Sequence, residues 1–219
     1  MGHLQAWFEY RNIVLWGVAD LTIFPEAPLP RAVSWCMPMD RKIMASIENG
    51  PNSQYANEYA RVNQQINSLS EELAEKLRSQ GHRALALAAS VRSDPENIRG
   101  DFPHKTAATR AGLGWIGRNC QLVTRQFGPW VRLATVFTDM ELQTAEAIEK
   151  HSCGSCHKCV DACPAGALLG ASWQPSVTRE KILNARACDA WKKEHYFQFH
   201  KGHNCGICSS VCPWGRKQM

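Results

Sequence analysis

The chain has 219 residues, 44% hydrophobic, 21% charged and 9% aromatic, a composition that excludes a disordered chain and fits one domain, or one domain with a small module. No uninterrupted apolar run approaches the roughly 20 residues of a membrane span. Met1 to Ala6 carry neither a basic stretch leading into an apolar one nor a twin-arginine pair, so a cytoplasmic location is expected. The net charge of +5 is a mild bias, weak evidence for a polyanionic partner.

In chain order, Ala32 to Met37 reads as a buried strand that follows the proline-rich stretch Pro25 to Pro30 and is stopped by Pro38. Between Asn52 and Gly81, Tyr55, Tyr59, Val62, Ile66, Leu69, Leu73 and Leu77 recur every three or four residues. That spacing predicts one long helix with a single apolar face packed on the domain's own sheet. Arg83 to Ala89 reads as a strand and Lys105 to Leu113 as a short helix ending near Gly112 and Gly114. Cys120 to Thr124 and Trp130 to Thr138 read as strands joined by a turn at Gly128-Pro129. The elements lack a regular strand–helix–strand rhythm, so an α+β layer is expected rather than a doubly wound parallel sheet.

Ten cysteines are too many for ordinary packing, and in a reducing compartment their spacing is read first as metal ligation. Eight of them fall between Cys153 and Cys212, which divides the chain into a body, 1–148, and a cysteine-rich module, 149–219. Cys153, Cys156, Cys159 and Cys163-Pro164 form C-x2-C-x2-C-x3-C-P, the bacterial ferredoxin run in which the fourth cysteine ligates a second [4Fe-4S] cluster. A second run, Cys205, Cys208 and Cys212-Pro213, lacks one ligand, and Cys188, in the helical stretch Thr178 to Glu194, is the unassigned cysteine between the runs. The expected partition is Cys153, Cys156, Cys159 and Cys212 on one cluster, and Cys163, Cys188, Cys205 and Cys208 on the other.

Rival readings are weaker. Cys153-Gly-Ser-Cys156-His157 satisfies the c-type haem pattern, but haem attachment needs an exported chain and leaves Cys159 and Cys163 unexplained. Zinc sites come as separated pairs more often than as a run of four ending in proline. Cys36 and Cys120 read as small apolar residues of buried strands.

Two [4Fe-4S] clusters imply low-potential one-electron transfer, which a bare ferredoxin performs without a body of this length. The least generic part of the body is His104 to Asp139, where Gly112, Gly114 and Gly117 lie among apolar and aromatic residues. The apparent GxGxxG lacks the strand and the following acidic residue of a dinucleotide site. The series Ala111-Gly-Leu-Gly-Trp-Ile-Gly-Arg-Asn119, Gly128, the Arg132 to Asp139 strand, the first cysteine run, Ala185-Arg-Ala-Cys188 and Cys205-x2-Cys-x3-Cys-Pro-Trp214 resembles the epoxyqueuosine reductase family. More weakly, so do Gly17-Val-Ala-Asp20 and Pro30-Arg-Ala-Val-Ser34.

The resemblance implies a nitroreductase-like, cobalamin-binding body beside two [4Fe-4S] clusters, a core similar to that of reductive dehalogenases, and reductive removal of an epoxide oxygen from a modified tRNA base. Full members continue beyond the point matching Trp214 into helical repeats that help hold tRNA, which places a tRNA substrate in question. The family's catalytic acid, an aspartate upstream of the Ala-Gly-Leu-Gly motif, has no acid in register here, and Asp94, Asp101 and His104 are the candidates. Each reads equally well as a solvated loop residue or helix cap. A corrin needs close backbone approach, aromatic walls and donors at its rim. Gly112, Gly114 and Gly117, then Trp115 and Trp130, then Arg118 and Asn119 are expected to supply these, unless the glycines only make turns under a packed tryptophan. Two functions follow: a cobalamin-dependent reductase fed by ferredoxin or flavodoxin, or an electron or corrinoid carrier with no turnover of its own, a plain two-cluster ferredoxin being its simplest form.

Overall fold

The computed structural model describes residues 2–217. Helix α1 (Gly2–Tyr10) leads to strands β1 (Trp16–Asp20) and β2 (Arg31–Pro38), then helices α2 (Arg41–Ala45) and α3 (Ser53–Ser79). Strand β3 (Ala84–Leu87), helix α4 (His104–Arg110), strands β4 (Trp115–Ile116), β5 (Leu122–Val123) and β6 (Val131–Thr138) follow. The cysteine-rich segment holds α5 (Lys158–Asp161), α6 (Arg179–Ile182), α7 (Ala185–His195), α8 (Ile207–Ser210) and α9 (Pro213–Arg216). The chain divides into two compact units, one of Met1–Met37, Val62–Leu113 and Arg132–Ile148, the other of Pro38–Arg61, Gly114–Val131 and Glu149–Met219. The division is therefore interleaved: two stretches of the expected body, 38–61 and 114–131, group with the cysteine-rich module.

The first unit is built on a four-stranded sheet in the order β1-β2-β6-β3. β1 pairs antiparallel with β2, Trp16 opposite Trp35, and β3 antiparallel with β6, Ala84 opposite Thr138, so the sheet is of the expected α+β kind. The long helix forms where the apolar period demands it. The Asn52 side chain accepts the Tyr55 N–H at its start, and Gly81, at φ +88°, lets the chain turn off just past its end. Val62, Ile66, Leu73, Ala74 and Leu77 on its inner face join Val18, Val33, Trp35, Ala134 and Val136 of the sheet. Trp7 and Phe8 of α1 close the same core, with Phe8 stacked on Trp16 at 4.4 Å. Each fully buried side chain of this size contributes about 1.5–3 kcal/mol.

The second unit is made of short pieces. β4 and β5 form a two-stranded hairpin, Trp115 opposite Val123. Its apolar cluster is small: Met39, Met44, Ile47, Tyr55 and Trp130.

Between Cys163 and Leu169, Gly166, at φ +56°, turns the chain, and Leu168 bridges to Leu183. Two expectations need correction. The Thr178 to Glu194 stretch is two helices, broken where Asn184 caps α7 by accepting the Ala187 N–H. Cys120 is buried, as expected, but sits in a turn at φ +57° ahead of β5 and not in a strand. Among the described residues no helix is long and apolar enough to cross a membrane.

Candidate metal centre

The eight cysteines of the module all lie in the second unit, and none of the ten in the chain is disulfide-bonded. Cys153 and Cys156 lie in the loop before α5, Cys159 in α5, Cys188 in α7 and Cys208 in α8. Cys212 caps α9, with Pro213 at the first helical position, where its missing N–H costs nothing. α5 packs on α8, which brings the two runs against each other.

The thiols influence one another in two sets. Burial first, then neighbouring Cys212, Cys153 and Cys156, push the Cys159 thiol up to about 12. Burial raises Cys212 to about 11, with Cys153 and Cys156 adding to it. Burial likewise raises Cys205, with Cys188 and Cys163 adding, and raises Cys188, with Cys163 adding. Cys208 is raised well above its ordinary value, by burial and then by Cys205, Cys188, Cys159 and Cys163. Cys159 and Cys212 are thus neighbours of Cys153 and Cys156, Cys188 and Cys205 are neighbours of Cys163, and Cys208 neighbours Cys159 as well as Cys205, Cys188 and Cys163.

This donor set fits two cubanes. Thiols raised by burial, as Cys159, Cys188, Cys205, Cys208 and Cys212 are, stay protonated until a metal displaces the proton, and four cysteines around one centre are the ligands of a [4Fe-4S] cluster. Among the described residues no three His, Cys, Asp or Glu side chains are close enough to hold a single ion. A cubane, which spreads four thiolates over four irons, does not require that.

Residues 114–131 brace these loops. The Arg118 guanidinium donates to Gly170 O (3.0 Å), Gly154 O (2.7 Å) and Ser172 Oγ (3.0 Å). Asn119 Nδ2 donates to Cys208 O (3.4 Å), while its Oδ1 accepts the Gln121 N–H. Trp130 Nε1 donates to Ser209 O (2.7 Å), and Trp115 packs edge-on against Trp214 at 4.9 Å. Gly112 ends α4 at φ +73°. A Cβ at Gly114 would lie 2.3 Å from Val123 O inside the hairpin, and one at Gly117 would meet Asn119 Oδ1 at 2.7 Å.

Of the seven residues expected at a corrin, Gly114 faces backbone and Gly117 the Asn119 and Val123 side chains, Arg118, Asn119 and Trp130 donate to neighbouring segments, and Trp115 is almost fully enclosed with its Nε1 unbonded. Close approach also involves Gly128, read in the sequence as part of a turn and of the family-like series, and Gly215, which carried no sequence signal. A Cβ at Gly128 would lie 2.2 Å from Gly215 N, and one at Gly215 would lie 2.5 Å from the Trp130 ring.

The three candidate acids belong to the first unit. Asp94 accepts the Asn97 N–H and side-chain amide, which together hold its carboxyl below the usual range, and it closes a small loop by exchanging backbone bonds with Arg99. Asp101 is exposed beside the buried Phe102. His104 opens α4 and ties it to Thr135 Oγ1 (Nδ1, 2.9 Å) and to Ala88 O (Nε2, 3.4 Å). Burial pushes its imidazole down to about 4, so the ring is neutral at pH 7. Sequence reasoning passed over Glu58, a buried carboxylate on a cavity of about 520 Å³ that Trp130 and Phe127 also line. Arg61 grips Glu58 in a two-point pair, and this with the Asp40 N–H keeps it ionised.

Residues 152–215 match the family model described as a 4Fe-4S double cluster binding domain. The chain is thus an α+β iron–sulfur protein with a double-cluster domain. It is similar to the epoxyqueuosine reductase of Lactococcus garvieae, at 32% identity over 141 residues, 55% of this chain and 37% of that protein. A solved epoxyqueuosine reductase with a tRNA stem loop superposes with a TM-score of 0.64 at 20% identity, over 98% of this chain and 66% of that one. A reductive dehalogenase whose structure suggests a mechanism for B12-dependent dehalogenation superposes with a TM-score of 0.73 at 19% identity, over 96% of this chain and 31% of that one. At these identities the structural likeness is one of fold. The chain spans well under half the length of the curated relatives it matches.

Proposed function

We propose that this chain is an iron–sulfur oxidoreductase that accepts single electrons from a ferredoxin or flavodoxin, passes them through two [4Fe-4S] clusters and delivers them to a bound cobalamin for reductive chemistry. The observation that carries this reading is the match of residues 152–215, with their eight cysteines, to a 4Fe-4S double cluster binding domain, braced by the Gly114–Val131 segment. Cobalamin, when bound, supplies a strongly reducing metal for cleaving a carbon–oxygen or carbon–halogen bond. The chain's own residues hold the clusters: the thiols surrender protons as iron enters, Arg118, Asn119 and Trp130 fix the loops, and burial keeps water from the ligands. The substrate class is an epoxide or an organohalide, tRNA-borne in the case the relatives suggest.

A second reading, a carrier without turnover, is favoured by the state of the candidate acids: Asp94 is committed to a loop and His104 is neutral and bonded. Anaerobic reconstitution with iron, sulfide and hydroxocobalamin tests both. About eight irons and one cobalt per chain support cobalamin binding, while about eight irons without cobalt leave a two-cluster ferredoxin. Turnover of an epoxyqueuosine-bearing stem loop by the loaded protein, with reduced flavodoxin, separates reductase from carrier.

A further inference from the structure

Arg118 is a buried cation with no anion beside it among the described residues. The residue is 8% exposed. Its guanidinium stays charged at any pH a protein survives, yet its partners are the carbonyls of Gly170, Gly154 and, at 3.5 Å, Cys156, and the hydroxyl of Ser172. Among the described residues no carboxylate pairs with it. A buried charge satisfied only by neutral dipoles is costly unless an opposite charge lies close. Two of its acceptors, Gly154 O and Cys156 O, belong to the loop that carries Cys153 and Cys156. Four thiolates outweigh the charge of a cubane core, so a cluster held there is an anion, and reduction adds one more negative charge.

We infer that Arg118 is the counter-ion of the cluster held by Cys153, Cys156, Cys159 and Cys212, and that it raises the potential of this cluster. The inference deepens the proposed electron path and rests on the two-cluster reading. A positive charge favours the reduced, more negative state of the cluster it faces, and net charge and hydrogen bonding are established determinants of cluster potential. Arg118 is a positioning and tuning residue, since it touches the loop and not the iron.

The test is an EPR-monitored redox titration of reconstituted wild type, Arg118→Gln and Arg118→Lys, with iron analysis of each and Cys188→Ala as the background that isolates the first cluster. Arg118→Gln keeps hydrogen-bonding capacity without charge. Its first-cluster potential is expected to fall by at least the 59 mV that equals a tenfold change in a one-electron equilibrium, with the second cluster unmoved. Arg118→Lys keeps the charge but loses the planar fork, and its potential is expected to stay within that tenfold. If Arg118→Gln fails to assemble the cluster, the Lys variant decides: a retained potential supports the charge, and a fall of tenfold or more shows a loop clamp and overturns the proposal. An unchanged potential in Arg118→Gln at full iron content also overturns it. Wild-type protein that takes up no iron defeats the two-cluster reading instead.

Discussion

The two units hold themselves together by different means. The first encloses Phe8, Trp35, Ile66 and Leu73 between a four-stranded sheet and the part of α3 from Val62 onward, so its stability comes from apolar burial. In the second, α5, α6, α8 and α9 are helices of only four residues, far too short to persist alone. It relies on side chains reaching backbone carbonyls and on whatever its thiols bind. Where a core is thin, metal affinity becomes folding free energy.

The largest effect expected from this contrast is on removal of iron. Anaerobic chelation should collapse amide protection across Glu149–Met219 while α3 from Val62 onward and the sheet keep theirs. Hydrogen exchange followed by mass spectrometry reads this, and uniform loss in both units would erase the contrast. The converse is Ile66→Ala, which empties a fully buried site in the first core and should cost about 2–5 kcal/mol in the denaturation of that unit, leaving iron content intact.

A smaller loss is expected in the second unit from Trp130→Phe. It keeps the ring but strands Ser209 O, at a cost of about 1–3 kcal/mol, read as faster iron release under chelator. The mildest effect is one of pH. His104 takes up a proton near 6.5 when unfolded but only near 4 when folded. The unfolded chain therefore binds more protons in that window, and the first unit should lose stability as pH falls from 6.5 toward 4. His104→Gln should flatten that slope, as measured by denaturant midpoints across the range.

What was legible in the sequence follows the same divide. Helix α3 and strand β2 could be read because apolar period and burial coincide along a continuous stretch. The cysteine sets could be read because a cubane imposes its spacing on the local chain. The role of residues 114–131 could not, because Arg118, Asn119 and Trp130 reach Gly154 O, Cys208 O and Ser209 O, and every residue has a carbonyl. Nor could the close approach of Gly114 to Val123 O, which only the folded hairpin brings about. Helix α1 and strand β1 escaped notice because nine and five residues show too little period to stand out.

The central claim is that eight thiols make two separate cluster sites, one of which needs Cys188. The most direct measurement is the iron and acid-labile sulfide content of anaerobically reconstituted Cys188→Ala beside wild type and Cys156→Ala. About eight irons in wild type and about four in each variant, with different EPR signals surviving in the two variants, is the result the account predicts. Full iron content in Cys188→Ala, or the same surviving signal in both variants, would contradict it.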